Sequence, residues 1–152
     1  MVKQKIALFL ATVGGAGYFP GVPGTFTSAL TAVFFYFFLS TLSLPVVCLF
    51  LMCLFSLGVW SSDVAGRHCN QKDPSCIVID EVVGMGVALL FVPPIGWMYV
   101  TAFVLFRILD IMKPYPINRL EALPGGWGII MDDVTAGIVT RVLMGILVHL
   151  VF

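Results

Sequence analysis

The stretch DDVTAGIVTRVLMGILVHLVF, residues 132–152, decides the fold. After the two aspartates at its start, Arg141 is its one charged residue. Apolar residues continue through it without the two-residue alternation of a half-buried strand, which favours a helix. A helix over these residues would be roughly 31 Å long, close to the thickness of a bilayer's hydrocarbon core, about 30 Å. The stretch therefore predicts a membrane-spanning helix.

Four further apolar runs precede this one, separated by polar clusters and prolines: Ala29–Leu39, Val46–Trp60, Ile77–Val92 and Ile95–Leu109. Hydrophobic residues make up 60% of the 152-residue chain and charged residues 11%, against about 25% charged residues in a soluble globular domain. An ordinary soluble protein is therefore excluded. The sequence predicts an all-α fold, a small helical membrane bundle with about four to five apolar helices, in a single domain over residues 1–152.

The charged residues gather in two of the connections between the runs. One group lies between the second and third runs, and another between the fourth and fifth, whereas the connections at residues 40–45 and 93–96 carry no charge. The chain therefore returns to the same side after each hairpin, and the polar loops gather on one face. The positive-inside rule makes that face cytoplasmic. Eight basic residues balance eight acidic ones, so no basic field for nucleic acid is present.

A glycine-rich segment, GGAGYFPGVPGT, covers residues 14–25. Five glycines within eleven residues are incompatible with a stable helix, and they allow backbone N–H groups to converge on an anion. Thr25 or Ser28 could cap the helix that follows, whose N-terminus would favour phosphate. A flexible hairpin entering the membrane explains the segment equally well.

Two neighbouring carboxylates, Asp80 and Glu81, begin the third apolar run, shortly after Asp73. Acidic residues in the first turn complement the helix dipole, which is the plain explanation. The functional explanation is a site for a hard cation such as Mg²⁺, which takes carboxylate and phosphate oxygens. Because adjacent helical residues diverge by about 100°, Asp80 and Glu81 are not expected to bind one ion in the same manner.

Arg107, Asp110 and Lys113 recur at three-residue intervals along one side of a helix end. They form either a salt-bridged, solvated end or a site in which Arg107 and Lys113 bind phosphate and Asp110 binds metal. A second glycine segment at residues 124–128 then leads to Asp132 and Asp133, which we expect to open the last helix.

Together these segments indicate metal-dependent chemistry on a phosphate whose remainder is lipid-soluble. A different class stays open, namely a non-catalytic membrane scaffold or a small transporter of a phosphorylated ligand. In that class the intramembrane Arg141 would mark a pathway. In an enzyme we expect Arg141 to face the bundle and to pair near Asp133, two turns earlier.

The four motifs together resemble the phosphatidylglycerophosphatase A family. The resemblance covers roughly residues 14–141, and the motifs read Pro20–Ser28, Asp73–Gly84, Phe106–Ile117 and Gly125–Gly137. It implies an all-helical, Mg²⁺-dependent phosphomonoesterase that acts on a phospholipid in the bacterial inner (cytoplasmic) membrane. Phosphatidylglycerophosphate would be hydrolysed to phosphatidylglycerol and inorganic phosphate, a step of bacterial phospholipid synthesis.

Residue roles follow as hypotheses. The predicted catalytic residues are Asp80, Glu81, Asp132, Asp133 and Asp110. The predicted Mg²⁺ ligands come from Asp80, Glu81, Asp132, Asp133 and Asp73. The predicted phosphate-binding residues are Arg107, Lys113, Thr25 and Gly24. The sequence leaves open whether water activated by a carboxylate attacks directly or an aspartyl-phosphate forms first.

Overall fold

The computed structural model describes residues 2–69 and 74–151, and over these the chain is all-α. Its α-helices are α1 Val2–Ala11, α2 Pro23–Phe37, α3 Leu44–Cys69, α4 Ile79–Leu89, α5 Gly96–Met112, α6 Ile117–Leu120 and α7 Gly126–Val151. The 3₁₀ turns Ala16–Tyr18 and Leu39–Thr41 precede and follow α2. The predicted fold class is confirmed, and the expected number of four to five apolar helices is approximate.

Within the described ranges, three segments are long and apolar enough to cross a membrane: Pro23–Thr41, Leu44–Cys69 and Gly126–Val151. The two segments of 26 residues are each roughly 39 Å long as helices. By contrast α4, with 11 residues, is only about 17 Å long and cannot span the bilayer. The apolar run at residues 77–92 thus contains a short helix, α4, surrounded by longer ones.

The short helix α4 lies at the centre of the bundle, in contact with α2, α3, α5 and α7. Its closest approach is to α7, at two glycines. A Cβ atom on Gly84 would lie 2.6 Å from the carbonyl oxygen of Asp133, and one on Gly137 would lie 2.3 Å from the carbonyl oxygen of Gly84. Side chains at either position would separate the helices, so glycine is required for this contact.

Two helix boundaries differ from the sequence prediction. Helix α7 begins at Gly126, so Asp132 and Asp133 lie nearly two turns inside it and do not open it. The glycine segment before them is helical because Gly126 packs against a neighbouring backbone: its Cβ would lie 2.0 Å from the carbonyl oxygen of Val59. Helix α3 likewise continues past Trp60 to Cys69, which places two charged residues expected in a connection on the helix itself.

The expected capping of α2 is also wrong. Its N-cap residue is Val22, with no capping hydrogen bond from the side chain, and Pro23 occupies the first turn. Proline suits this position because it has no N–H to leave unsatisfied. Thr25 and Ser28 consequently lie within the helix, where the Ser28 hydroxyl donates to the carbonyl oxygen of Gly24 at 2.8 Å.

Arg141 does not pair with Asp133 as expected. Among the residues that the structure describes, it forms no salt bridge, and its guanidinium lies over the Phe91 ring, 5.3 Å from the ring centroid. Eight residues of helix separate Arg141 from Asp133, which is roughly 12 Å. That distance carries Arg141 toward the far end of α4 and away from the acidic residues.

Candidate active site

A cavity of about 290 Å³ lies where α2 and α7 begin, α4 begins and α5 ends. Nine of the predicted site residues line it: Gly24, Thr25, Asp80, Glu81, Arg107, Asp110, Lys113, Asp132 and Asp133. They come from positions as far apart as 24 and 133 and meet because the N-terminal parts of α2, α4 and α7 and the C-terminal end of α5 lie at the same end of the bundle. The tenth, Asp73, lies outside the described residues, so its role stays a prediction.

Three carboxylates form a compact cluster at the cavity. Asp80, Glu81 and Asp133 each offer one oxygen, and these oxygens lie within 4.8 Å of one another. The adjacent residues Asp80 and Glu81 thus each bring one oxygen to the cluster, and the expectation that they do not bind one ion in the same manner stays a prediction.

This cluster could hold a metal ion. Its donors are all carboxylate oxygens, which hard cations such as Mg²⁺ and Ca²⁺ prefer. Within the described part of the chain, Glu81 Oε2 and Asp133 Oδ2 are buried without a hydrogen-bond partner. Buried polar atoms are almost always satisfied, so two orphaned oxygens in one cluster fit a bound cation.

The other two carboxylates are each held by a basic residue. Arg107 Nη1 lies 2.6 Å from Asp110 Oδ2, and Lys113 Nζ lies 2.7 Å from Asp132 Oδ2. Arg107 also approaches the cluster, with Nη1 3.9 Å from Glu81 Oε1. The structure thus divides the five acidic residues into a cluster of three and two ion-paired side chains.

Ser28 supports Arg107 in a way that the sequence did not reveal. Arg107 Nη1 donates to Ser28 Oγ at 3.4 Å, while the Ser28 hydroxyl donates to the carbonyl oxygen of Gly24. The guanidinium is therefore tied to α2 as well as to Asp110. Seventy-nine residues separate Ser28 from Arg107, and no local pattern in a single sequence indicates such a pairing. Ser75, a further lining residue, lies within the motif Asp73–Gly84, but no role was predicted for it.

Gly24 is required for a close approach. A Cβ atom there would lie 2.0 Å from Glu81 Oε1 and 3.4 Å from Arg107 Nη1. Any larger residue would displace the Glu81 carboxylate from the cluster. The glycine therefore admits a side chain from α4 against the first turn of α2.

Lys113 has an unusual backbone conformation. It ends α5 with φ 41° and ψ 57°, in the left-handed region that glycine normally occupies. Such outliers persist where surrounding structure enforces them and are common at functional sites. Burial lowers the pKa of Lys113, but the hydrogen bond to Asp132 and the nearby carboxylates outweigh it and raise the pKa above its ordinary value. The ammonium group therefore stays charged.

The described residues of the cavity carry an excess of negative charge. Among them, five carboxylates face two basic side chains, which leaves a formal excess of three negative charges. Burial raises the pKa of Glu81, although a hydrogen bond with Asp80 and the charge of Arg107 act against that rise. A phosphate monoester is itself an anion and would be repelled from this cavity unless a cation were bound with it.

Comparisons with known proteins find related sequences along most of the chain. The sequence profile of the family described as phosphatidylglycerophosphatase A matches residues 9–148. A protein of Escherichia coli strain K12 named phosphatidylglycerophosphatase A is 35% identical over 151 residues, covering 97% of this chain and 87% of that protein. A protein of the same name from Haemophilus influenzae is 35% identical over 142 residues, covering 89% of this chain and 87% of that protein.

A third relative bears a different name. This protein of Bacteroides thetaiotaomicron, whose name makes it a candidate phosphatidylinositol-3-phosphatase, is 35% identical over 148 residues, covering 93% of this chain and 92% of its own. No solved structure matches the chain.

Proposed function

The chain belongs to the phosphatidylglycerophosphatase A family of phosphatases, and from this premise we propose that it hydrolyses phosphatidylglycerophosphate to phosphatidylglycerol and inorganic phosphate. The observation that carries the proposal is the cavity in which three clustered carboxylates lie beside Arg107 and Lys113 at the end of an apolar bundle. Such a cavity suits a phosphate monoester whose remaining part stays in the bilayer.

Mg²⁺ is the proposed cofactor, held by Asp80, Glu81 and Asp133. The orphaned carboxylate oxygens and the excess negative charge of the cavity support this assignment. Asp132 and Asp73 remain further candidate ligands from the sequence. When bound, Mg²⁺ would neutralise charge on the phosphoryl oxygens and polarise phosphorus toward attack.

Arg107 and Lys113 are proposed to bind the terminal phosphate. Each is already oriented by a carboxylate, at 2.6 Å and 2.7 Å respectively, so little side-chain entropy is lost when the phosphate arrives. The first turn of α2, with Gly24 and Thr25, also lines the cavity and lies at a helix N-terminus, where anions are favoured.

Hydrolysis requires a proton acceptor, and Asp110 is the proposed one. It lines the cavity outside the three-carboxylate cluster, with Arg107 fixing its orientation. In this scheme Asp110 takes a proton from water as the water oxygen bonds to phosphorus. The bond from phosphorus to the glycerol oxygen breaks, and the proton returns to that oxygen. Attack by an aspartate, with later hydrolysis of the aspartyl-phosphate, is the competing route, and trapping of a phosphoenzyme would distinguish it.

The bundle is proposed to lie in the bacterial inner membrane with its charged end in the cytoplasm. Three candidate membrane spans support insertion, and the arrangement of basic residues supports the orientation. The lipid substrate would then reach the cavity from within its own leaflet.

The decisive experiment measures phosphate release by the purified protein in detergent, with Mg²⁺ and with a chelator. We expect release from phosphatidylglycerophosphate that requires Mg²⁺, and its loss in Asp80→Asn protein that still inserts into membranes. Phosphatidylinositol-3-phosphate is the second substrate to test, because the name of one relative refers to a phosphatase of that lipid. Release from that lipid alone would overturn the proposed substrate while retaining the lipid-phosphatase class. Release from neither lipid by folded protein would overturn both.

A further inference from the structure

A second, wholly apolar groove lies between α2 and α5. It encloses about 400 Å³ and is lined by small and aromatic residues, among them Ala29, Ala32, Tyr36, Gly96 and Tyr99. Among the described residues, no charged side chain lines it. Two of the lining residues, Tyr36 and Tyr99, make an edge-to-face contact with ring centroids 5.3 Å apart.

On α2 the groove continues the wall of the polar cavity. Thr25 lines the cavity, and Ala29, Ala32 and Tyr36 line the groove. These four residues follow one another at intervals of four, three and four, the spacing of a single helix face. The groove begins about 6 Å along the helix from Thr25 and extends for about 12 Å to Phe37.

The same continuity exists on α5, which runs in the opposite direction. Gly96, Tyr99 and Phe103 line the groove, and Arg107 and Asp110, at the next intervals of four and three, line the polar cavity. The antiparallel helices α2 and α5 therefore line one continuous surface, with the polar cavity at one end and the apolar groove along the rest.

We propose that this groove holds an acyl chain of the lipid substrate, an inference that rests on the proposed function. A lipid whose terminal phosphate lies against Arg107 has its headgroup glycerol and its phosphodiester next along the molecule, and one acyl chain would then extend between α2 and α5. Val33, Phe37 and Val100 are more than half exposed, so the groove is open toward the bilayer and a chain can enter sideways.

A transmembrane helix of another protein, about 10–12 Å in diameter, could insert only side chains into this groove, whereas an acyl chain can lie within its volume of about 400 Å³. Because lipid tails are as apolar as the groove, the acyl chain gains little affinity there. Its effect is to align the phosphate with the cavity, which increases the rate of the reaction.

The test compares dioleoyl with dihexanoyl phosphatidylglycerophosphate in mixed micelles, as the ratio of their kcat/KM values. Ala29→Phe fills the groove next to the cavity, and we expect it to lower that ratio about tenfold or more. Gly96→Leu fills the far end, where a Cβ atom meets nothing within 4 Å, and should shift the preferred acyl chain to a shorter one. Val142→Phe, on the exposed surface of α7, is the matched control and should leave the ratio unchanged.

A second measurement does not depend on turnover. A photoactivatable phosphatidylglycerophosphate with a diazirine on one acyl chain should label the α2 and α5 peptides that line the groove, with labelling reduced in Ala29→Phe. An unchanged kcat/KM ratio in Ala29→Phe, or uniform labelling of all lipid-facing helices, would overturn the proposal that the groove holds an acyl chain. Absence of phosphate release by the wild-type protein, with labelling of the groove intact, would instead overturn only the proposed hydrolysis.

Discussion

Replacing Asp133 by asparagine should stabilise the protein when no divalent cation is present and should abolish its activity. The oxygens of Asp80, Glu81 and Asp133 lie within 4.8 Å of one another. Two unit charges at that separation repel each other by about 3.5 kcal/mol at an effective dielectric constant of about 20, and Asp133 faces two such neighbours. Arg107, with Nη1 3.9 Å from Glu81 Oε1, offsets part of this repulsion. We therefore expect Asp133→Asn to raise the free energy of unfolding by about 2 kcal/mol without cation.

The expected gain is measurable as a thermal shift in detergent. For a chain of this size, about 2 kcal/mol corresponds to an increase in Tm of about 4–8 °C. Saturating Mg²⁺ at one hundred times its Kd should stabilise the wild-type protein by about 2.7 kcal/mol, whereas Asp133→Asn should gain much less. Phosphate release, measured on the same preparations, should be lost in the variant.

Asp63→Asn is the matched control, since Asp63 pairs with the highly exposed Arg67 at 2.9 Å and lies outside the cavity. An exposed pair of this kind contributes about 0–1 kcal/mol, so little change in Tm and none in activity is expected. The reasoning is refuted if Asp133→Asn lowers Tm in chelator while its response to Mg²⁺ equals that of the wild type.

Three further predictions concern other parts of the site. Gly24→Ala should lower kcat/KM by about 100-fold, because the new methyl group would displace Glu81 by more than 1 Å; initial rates of phosphate release measure this. Lys113→Met should lower the free energy of unfolding by about 3 kcal/mol because it leaves Asp132 buried without its cation, and adding Asp132→Asn should restore stability but not activity. Arg141→Met should retain phosphate release, because Arg141 lies away from the cavity, whereas a transport pathway through the bundle would make it indispensable.

Each of these predictions has its own contrary outcome. Gly145→Ala is the control for the α2 glycine, since its new methyl group would meet only the flexible tip of Arg141 at 3.0 Å; equal losses in both variants would contradict the steric argument. If the double variant at Lys113 and Asp132 is no more stable than Lys113→Met, the loss of stability does not come from the unpaired Asp132 carboxylate. Loss of phosphate release in Arg141→Met would return the transporter hypothesis to consideration.

That the charged residues meet at one end of the bundle was predictable, whereas the roles assigned to them stay predictions. Aspartates and basic residues in an apolar chain are costly, so their positions already indicated the cavity. Which acidic residue joins the cluster and which pairs with a basic side chain was not predictable. That Asp133 joins the cluster while Asp132 pairs with Lys113 depends on the rotation of α7 against α4, which the local sequence does not determine.

The predicted helix boundaries were wrong where tertiary contacts override local helix propensity. Gly126 and Gly128 indicated a loop, yet both are helical, because their missing side chains let α7 pack against the carbonyl oxygens of Val59 and Leu123. Propensity alone is a weak guide to such positions. The extension of α3 to Cys69 was missed because the apolar run ended at Trp60, although a charged helix end outside the hydrocarbon core needs no apolar residues.

The backbone contact between Gly84 and Gly137 has a consequence for which ion the protein would select by size. It fixes the distance between α4, which carries Asp80 and Glu81, and α7, which carries Asp133. Mg²⁺ requires ligands at about 2.0–2.1 Å in a near-ideal octahedron, whereas Ca²⁺ accepts about 2.3–2.6 Å and looser geometry. Gly84 and Gly137 would thus set the radius of the ion that the carboxylates can bind, although neither glycine contacts the ion. A single methyl group at either position would widen the site toward the larger ion.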